Sequence, residues 1–87
     1  MCYVYLLKSK KIDHWHYVGS TNNLKKRYKE HQKGKVFSTK NYEPFILIYY
    51  EAFLSEKDAR EREKQLKYKG NSLKFLKKRL EYSLIEN

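Results

Sequence analysis

The residues best suited to chemistry lie between Tyr17 and His31. Tyr17 belongs to a short aromatic segment that ends at Gly19, and small polar residues separate this segment from a helix-forming stretch. Arg27 and His31 are four residues apart, so on a helix both side chains rise from one face. A tyrosine at a strand end that faces an arginine and a histidine can bind a phosphate and move a proton.

Tyr5, in an upstream segment rich in tyrosine, is a second candidate of the same kind as Tyr17. A phenol is a poor base, with an ordinary pKa of roughly 10, and it needs a nearby cation or metal to act at neutral pH. Tyrosines also pack readily in half-buried strands. Residue type alone therefore leaves both packing and chemistry open for each tyrosine.

Glu63 is the most informative acid. Ala59, Glu63 and Leu66 follow an i, i+4, i+7 spacing, which places Glu63 on the inward stripe of a helix. Glu61 points roughly 160° away from that stripe. A carboxylate on an apolar stripe requires a partner, and two partners remain open: an arginine in a buried ion pair, or a hard cation such as Mg²⁺.

The charge of the chain indicates an acidic partner. The 87 residues carry a formal net charge of +10, and 7 Lys or Arg against one Glu lie between positions 24 and 40. Such an excess is typical of nucleic-acid binding, and a basic surface without a partner is the alternative. The side chains expected to contact nucleic acid are Lys25, Lys26, Arg27, Lys29 and Lys40.

Several other classes of protein are disfavoured. Cys2 is the only cysteine, so no disulfide forms within the chain, and there is no signal peptide and no apolar run near 18 residues. We therefore expect a cytoplasmic protein without a membrane span. His14, His16 and His31 fit no familiar zinc-binding spacing with Cys2.

Hydrophobic periodicity and caps predict the order β-β-α-β-α-α in one small α+β domain spanning residues 1–87. Residues 45–53 form the longest apolar segment, and we expect it to be the central strand. One last helix is expected to carry a stripe of four leucines: Leu73, Leu76, Leu80 and Leu84. The polar loop over residues 35–44 is long enough to suggest a function.

Taken together, these motifs resemble the GIY-YIG nuclease domain over about residues 2–80, and in particular the small stand-alone members close to the nuclease domain of the excinuclease C subunit. Tyr3–Val4–Tyr5 stands in place of the GIY motif, and Tyr17–Val18–Gly19 matches YIG. Arg27 and His31 match the helix residues of the family, and Glu63 matches its metal-binding acid.

The resemblance implies a three-stranded antiparallel sheet flanked by helices, and hydrolysis of a phosphodiester bond in DNA. It implies that Glu63 binds Mg²⁺ or Mn²⁺ and that Arg27 stabilises charge on the phosphate. Tyr5 is the favoured base, with Tyr17 as its partner. His31 is expected to contact the phosphate or protonate the leaving group. Specificity in the family is usually supplied by an additional domain or partner.

Three positions depart from the family pattern. Tyr3 replaces the glycine of the first motif, Ser20 stands where some members have a lysine that assists the base, and Asn71 is only a candidate for a distal asparagine. A binding module without catalysis, on the same fold, is therefore the second hypothesis. An isolated ion pair of Glu63, away from Tyr17 and Arg27, would favour that module.

Overall fold

The computed structural model describes all 87 residues. Three strands and four helices follow one another in the order β1 (Cys2–Ser9), β2 (His16–Thr21), α1 (Leu24–Gln32), β3 (Phe45–Phe53), α2 (Glu56–Tyr68), α3 (Ser72–Arg79) and α4 (Glu81–Glu86). A single 3₁₀ turn, Phe37–Thr39, lies in the long loop before β3. The strands form one antiparallel sheet in the order β2-β1-β3, which confirms the predicted α+β architecture.

The central strand is β1, and the expectation that residues 45–53 would be central was wrong. Residues Val4 to Leu7 are all buried, whereas Phe45 is the only buried residue of β3. A central strand is covered on both faces and paired on both edges, and β1 meets both conditions because β2 and β3 pair with its two edges. The length of β3 led to the expectation of a central position, but strand length does not determine the order of strands in a sheet.

The two faces of the sheet carry two separate clusters of buried side chains. On one face, Val4, Leu6 and Val18 pack against Ala59 and Leu66 of α2, and Leu76 of α3 completes the cluster. On the other face, Tyr5, Leu7 and Phe45 form a second cluster, covered in part by Leu24 and Tyr28 of α1. Alternate residues of β1 therefore serve different layers of the molecule.

Side-chain caps begin the two longer helices. Asn23 accepts a hydrogen bond from the Lys26 backbone N–H at the start of α1, and Ser55 accepts one from Lys57 at the start of α2. The final leucine stripe spans two helices rather than the single one expected. Leu80 leaves the helical conformation at φ −109° and ψ 21°, and its N–H bonds the Lys77 carbonyl, which closes α3 before α4 begins.

The longest helix, α2, has 13 residues. None of the helices combines the length and the apolar character that crossing a membrane requires.

Candidate active site

Gly19 allows two tyrosines to meet over the edge strand β2. It lies directly opposite Tyr5 in the sheet register, on the face covered by α1. A Cβ atom at this position would lie 2.5 Å from Tyr5 Oη and 2.9 Å from Tyr17 Cε2. The absence of a side chain at Gly19 is therefore what lets the Tyr5 phenol extend across β2 toward Tyr17. This close approach gives a physical reason for the glycine of the second motif.

Tyr5, His31 and Thr39 form a buried hydrogen-bonded chain. Tyr5 Oη lies 2.7 Å from His31 Nε2, and His31 Nδ1 lies 2.7 Å from Thr39 Oγ1. The Thr39 hydroxyl is directed toward the Val36 carbonyl at 3.5 Å, which leaves its oxygen to accept from Nδ1–H. In that tautomer Nε2 carries no proton and accepts the Tyr5 O–H.

Burial sets the protonation states of this chain. Desolvation and, to a smaller extent, the neighbouring Arg27 charge lower the pKa of His31 from 6.5 to about 4, against the opposing effect of Glu30, so the imidazole is neutral at pH 7. Desolvation and Tyr17 raise the pKa of Tyr5 well above its ordinary value, while Arg27 opposes the rise. His31 has no exposed surface, so a proton could pass between its imidazole and a bound molecule only through a neighbouring group such as Tyr5.

Arg27 lies at the mouth of this buried chain. Its guanidinium lies 3.3 Å from Glu30 Oε1, and the two side chains are 39% and 34% exposed. An ion pair with this exposure contributes about 0–1 kcal/mol. The guanidinium can therefore exchange Glu30 for a phosphate, to which it offers two parallel donors.

Glu63 reaches the same edge strand from the opposite face of the sheet. Ser20 Oγ donates to Glu63 Oε1 at 2.7 Å, and Lys67 Nζ lies 3.0 Å from Glu63 Oε2. Lys67 also lies over the Tyr17 ring, 5.2 Å from its centroid. The ion pair of Glu63 is thus made with a lysine beside Tyr17, whereas the neighbouring Arg62 pairs with Glu51 at 2.8 Å.

The donors around Glu63 fit a hard divalent cation held mainly by water and substrate. The protein supplies one carboxylate and the Ser20 hydroxyl, and no group of three or more His, Cys, Asp or Glu side chains surrounds the position. Mg²⁺ is commonly bound by one or two carboxylates together with waters and phosphate oxygens. Lys67 already balances the Glu63 charge, so binding of a cation to Oε2 requires Lys67 to move away.

The lysines expected to bind nucleic acid are exposed on and near α1. Lys25, Lys26 and Lys29 line one shallow basic surface, where Lys33 and Lys35 join them. Lys40 is also exposed, immediately after the 3₁₀ turn. These ammonium groups give the α1 side of the molecule a field that attracts phosphates.

Sequence reasoning missed three side chains that position this site: Ser20, Thr39 and Lys67. Ser20 was noted only as a departure from the family pattern, although it holds Glu63. Thr39 lies in the long loop, whose length indicated a function without indicating a residue. Lys67 follows Glu63 by four residues, and this favourable i, i+4 spacing of an acid and a lysine was the available signal.

An aromatic stack supports Tyr17 from its outer side. The Trp15 ring is nearly parallel to the Tyr17 ring, with centroids 6.4 Å apart, and stacks on Tyr42 at 4.2 Å. Tyr42 belongs to the long loop, which therefore contributes to the site both through this stack and through Thr39. No sequence pattern indicated the pairing of Trp15 with Tyr42, because it joins two connecting segments across the fold.

Comparison with known proteins gives consistent matches. The sequence model of the GIY-YIG catalytic domain matches residues 1–79. A UPF0213 protein of Clostridium perfringens is 43% identical over 68 residues, which are 77% of this chain and 71% of the relative. A UPF0213 protein of Pediococcus pentosaceus is 40% identical over 79 residues, 87% of this chain and 81% of the relative. No solved structure matches the chain significantly.

Proposed function

The chain belongs to the GIY-YIG catalytic domain family, which supports a nuclease-type function, and on this premise we propose that it is a metal-dependent endonuclease that hydrolyses a phosphodiester bond in DNA. The observation that carries the proposal is the meeting of Tyr5, Tyr17, Arg27 and Glu63 around the edge strand at Gly19. The resemblance named these residues together, and their contacts give each a distinct chemical task.

Arg27 binds the scissile phosphate and stabilises the charge that develops on its oxygens. The phosphate replaces Glu30 as the partner of Arg27. Because the Arg27–Glu30 ion pair is exposed, breaking it requires little free energy. Glu63 would hold the divalent cation, with the Ser20 hydroxyl beside its carboxylate. The chemistry that Mg²⁺ or Mn²⁺ supplies at such a site is polarisation of the phosphate and stabilisation of the leaving oxygen.

Tyr5 receives the proton of the attacking water. As the water oxygen bonds to phosphorus and the bond from phosphorus to the leaving oxygen breaks, the water proton passes to Tyr5 Oη and the Tyr5 proton passes to His31 Nε2 at 2.7 Å. The leaving oxygen takes up a proton from solvent. Tyr5 thus stays neutral throughout, which matches its raised pKa. His31 holds the proton briefly, because its low pKa favours release, and Tyr17 orients the water beside Lys67.

A second candidate is a nucleic-acid-binding module without catalysis, which draws support from the neutralisation of Glu63 by Lys67, although this ion pair lies beside Tyr17 and not away from it. A bare carboxylate beside a phosphate site would repel the ligand, but Lys67 neutralises Glu63 at 3.0 Å. In that reading the lysines of α1 bind the backbone and the tyrosines only pack. The two candidate functions differ in the role of Glu63. The nuclease needs its carboxylate to bind the metal, whereas the binding module needs it only for the ion pair with Lys67.

The experiment that separates them is cleavage of a panel of labelled DNA substrates with Mg²⁺, Mn²⁺ or EDTA. Glu63→Gln is compared with Glu61→Gln, a matched control on the same helix whose exposed side chain pairs only with Lys64. We expect nicking that requires metal, is abolished in Glu63→Gln and is unchanged in Glu61→Gln. Salt-sensitive binding without cleavage in any metal would instead establish the binding module.

We further propose that the enzyme acts in the cytoplasm, in DNA repair or recombination, and with a protein partner that supplies specificity.

The basic surface on α1 supports nucleic acid as the substrate, because its lysines can neutralise several phosphates. Each neutralised phosphate releases condensed counterions. Binding should therefore weaken steeply between low and physiological salt. A flat response over that range would argue against a nucleic-acid substrate.

A further inference from the structure

We propose that the groove between Tyr3, Tyr50 and the start of α1 binds an unpaired nucleobase, so that the substrate supplies a single-stranded nucleotide near the cut. This inference rests on the proposed function and extends it to the class of substrate. It starts from Tyr3, the residue that replaces the glycine of the family's first motif and has no task in the reaction. The side chain of a tyrosine at this position adds an aromatic surface that a glycine cannot provide.

The register of the sheet places this aromatic surface beside the active site. Tyr3 and Tyr5 are alternate residues of β1 and share the α1 face, and Tyr50 lies directly opposite Tyr5 on β3. The Tyr3 and Tyr50 rings meet at 66° with centroids 5.9 Å apart. In such an edge-to-face contact, one of the two rings contacts the other only through its edge. The faces of that ring therefore remain available for stacking of a nucleobase.

The groove has the size and the chemistry for a nucleobase and its phosphate. Its volume is about 490 Å³, and its lining combines Tyr3, Leu47 and Tyr50 with the side chains of Asn22 and Lys25. The aromatic and aliphatic groups offer stacking and apolar contact, the amide can hydrogen-bond a base edge, and the ammonium can bind a phosphate. The groove is lined by no carboxylate that would repel the nucleotide backbone.

The exposure of Tyr50 argues against a role only in packing. Tyr50 is 52% exposed, whereas Tyr5 on the neighbouring strand is 2% exposed. A ring that remains half in water contributes little to the core, and aromatic side chains in this state are common where proteins bind single strands. The Tyr50 ring contacts the Tyr3 ring only at an angle of 66°, not face to face.

The helix α1 separates the groove from the catalytic residues and defines the path of the strand. Lys25 and Tyr28 face the groove, whereas Arg27 lies on the other flank of the helix beside Tyr5. A strand bound at both places must turn around the start of α1. A base that stacks on the protein in this groove no longer stacks on the adjacent bases of its own strand. A flexible, unpaired strand can therefore follow this path, whereas a continuous duplex cannot.

The test measures binding in EDTA, where no cleavage occurs, so it remains informative if the nuclease function fails. Oligonucleotides carry one 2-aminopurine either unpaired or within a duplex, and affinity and fluorescence quenching are recorded. The variants are Tyr50→Ala, Tyr50→Phe and Tyr82→Ala. Tyr82 is a matched control because it is 74% exposed on α4, away from the groove.

We expect the wild type to prefer the unpaired probe and to quench its fluorescence. Loss of one stacked base corresponds to about 1–3 kcal/mol, so Tyr50→Ala should weaken binding of the unpaired probe about 5- to 150-fold. Tyr50→Phe should retain the affinity, and duplex binding should be the same in all variants. Equal binding of the unpaired probe by wild type and Tyr50→Ala, or no preference of the wild type for it, would overturn the proposal.

Discussion

The two faces of the sheet are built from alternate residues of the same strands and differ in chemistry. On the side of α2 and α3, Val4 and Leu6 are buried among aliphatic side chains. On the side of α1, Tyr5 is equally buried but hydrogen-bonds a buried histidine. The interior of the first face is apolar, whereas the second face keeps polar groups in the interior, where each needs a partner.

The edge strand β2 connects the two faces. Gly19 leaves room for Tyr5 on the α1 side, and its neighbour Ser20 holds Glu63 on the α2 side. Successive residues of one strand thus direct two groups of the proposed reaction to one edge of the sheet. The α1 face thus combines aromatic packing with buried polar groups, whereas the aliphatic cluster lies on the α2 face.

The largest effect is expected from Arg27→Ala, on the chemical side of the sheet. Loss of a group that stabilises charge on the transferred phosphate should reduce the cleavage rate by about two to three orders of magnitude. The exposure of Arg27 and its weak pair with Glu30 predict little change in the free energy of unfolding. Single-turnover cleavage and thermal unfolding measure the two effects.

Lys26→Ala is the matched control for Arg27→Ala. It removes one neighbouring exposed charge from the same helix without touching the buried chain. We expect weaker binding of DNA at physiological salt but a cleavage rate of the bound complex close to wild type. Equal losses of cleavage in both variants would show that Arg27 contributes only to the non-specific electrostatic attraction of DNA, and not to a specific contact with the scissile phosphate.

The next largest effect is expected from Leu6→Ala, on the packing side. Leu6 is 1% exposed within the aliphatic cluster, and truncation of a buried leucine lowers the free energy of unfolding by about 2–5 kcal/mol. Urea unfolding measures the loss. The folded fraction should still cleave DNA at the wild-type rate, and a folded Leu6→Ala protein that no longer cuts would contradict the division between the faces.

A smaller effect is expected in the pH dependence of stability. Burial lowers the pKa of His31 to about 4 from 6.5, so between these values the unfolded chain binds a proton that the folded protein does not. The free energy of unfolding should therefore rise as pH increases from 4 to 6.5 and fall as the medium is acidified. Denaturant unfolding across this range gives the slope.

Comparison of His31→Gln with wild type separates the contribution of His31 to the pH dependence of the free energy of unfolding from the contributions of the other histidines. We expect a shallower slope in His31→Gln than in wild type, because the variant lacks the group whose pKa burial lowers. An unchanged slope in His31→Gln would show that the imidazole titrates alike in the folded and unfolded states.

The smallest effect concerns Lys67, which links the two sides. Because Lys67 competes with a cation for Glu63 Oε2, Lys67→Met should raise the affinity for Mn²⁺. An ion pair that is still partly in contact with water contributes up to about 1 kcal/mol, which corresponds to a rise of about two- to five-fold. Calorimetric titration of Mn²⁺ measures it, with Lys64→Met as a control that leaves Glu63 untouched. Weaker binding in Lys67→Met would instead make Lys67 part of the metal site.

Most of the fold could be predicted from the sequence, because periodicity and caps are local signals. The order of strands and helices was visible in this way. The position of residues 45–53 in the sheet was wrong, since strand order depends on which segment is covered on both faces. The break at Leu80 was missed, because a regular leucine stripe gives no sign of a local change in backbone conformation.

The predicted site residues were found by type and spacing, whereas their connections required coordinates. Sequence could place Arg27 and His31 on one helical face, but not the bond from Tyr5 to His31 Nε2. It could mark Glu63 as an acid in need of a partner, but not choose between Lys67 and an arginine. Contacts between distant segments depend on register and packing, and neither is encoded in local spacing.

The most direct test of the account is the paired measurement of cleavage and stability in Tyr5→Phe. This change removes one hydroxyl and keeps the ring that covers Gly19. The account predicts a loss of cleavage of at least about 100-fold, typical of a removed proton-transfer group, with a loss in the free energy of unfolding of only about 1–3 kcal/mol from the unpaired His31. A folded Tyr5→Phe protein that cleaves DNA at the wild-type rate would contradict it, because the buried chain on the α1 face would then serve packing alone.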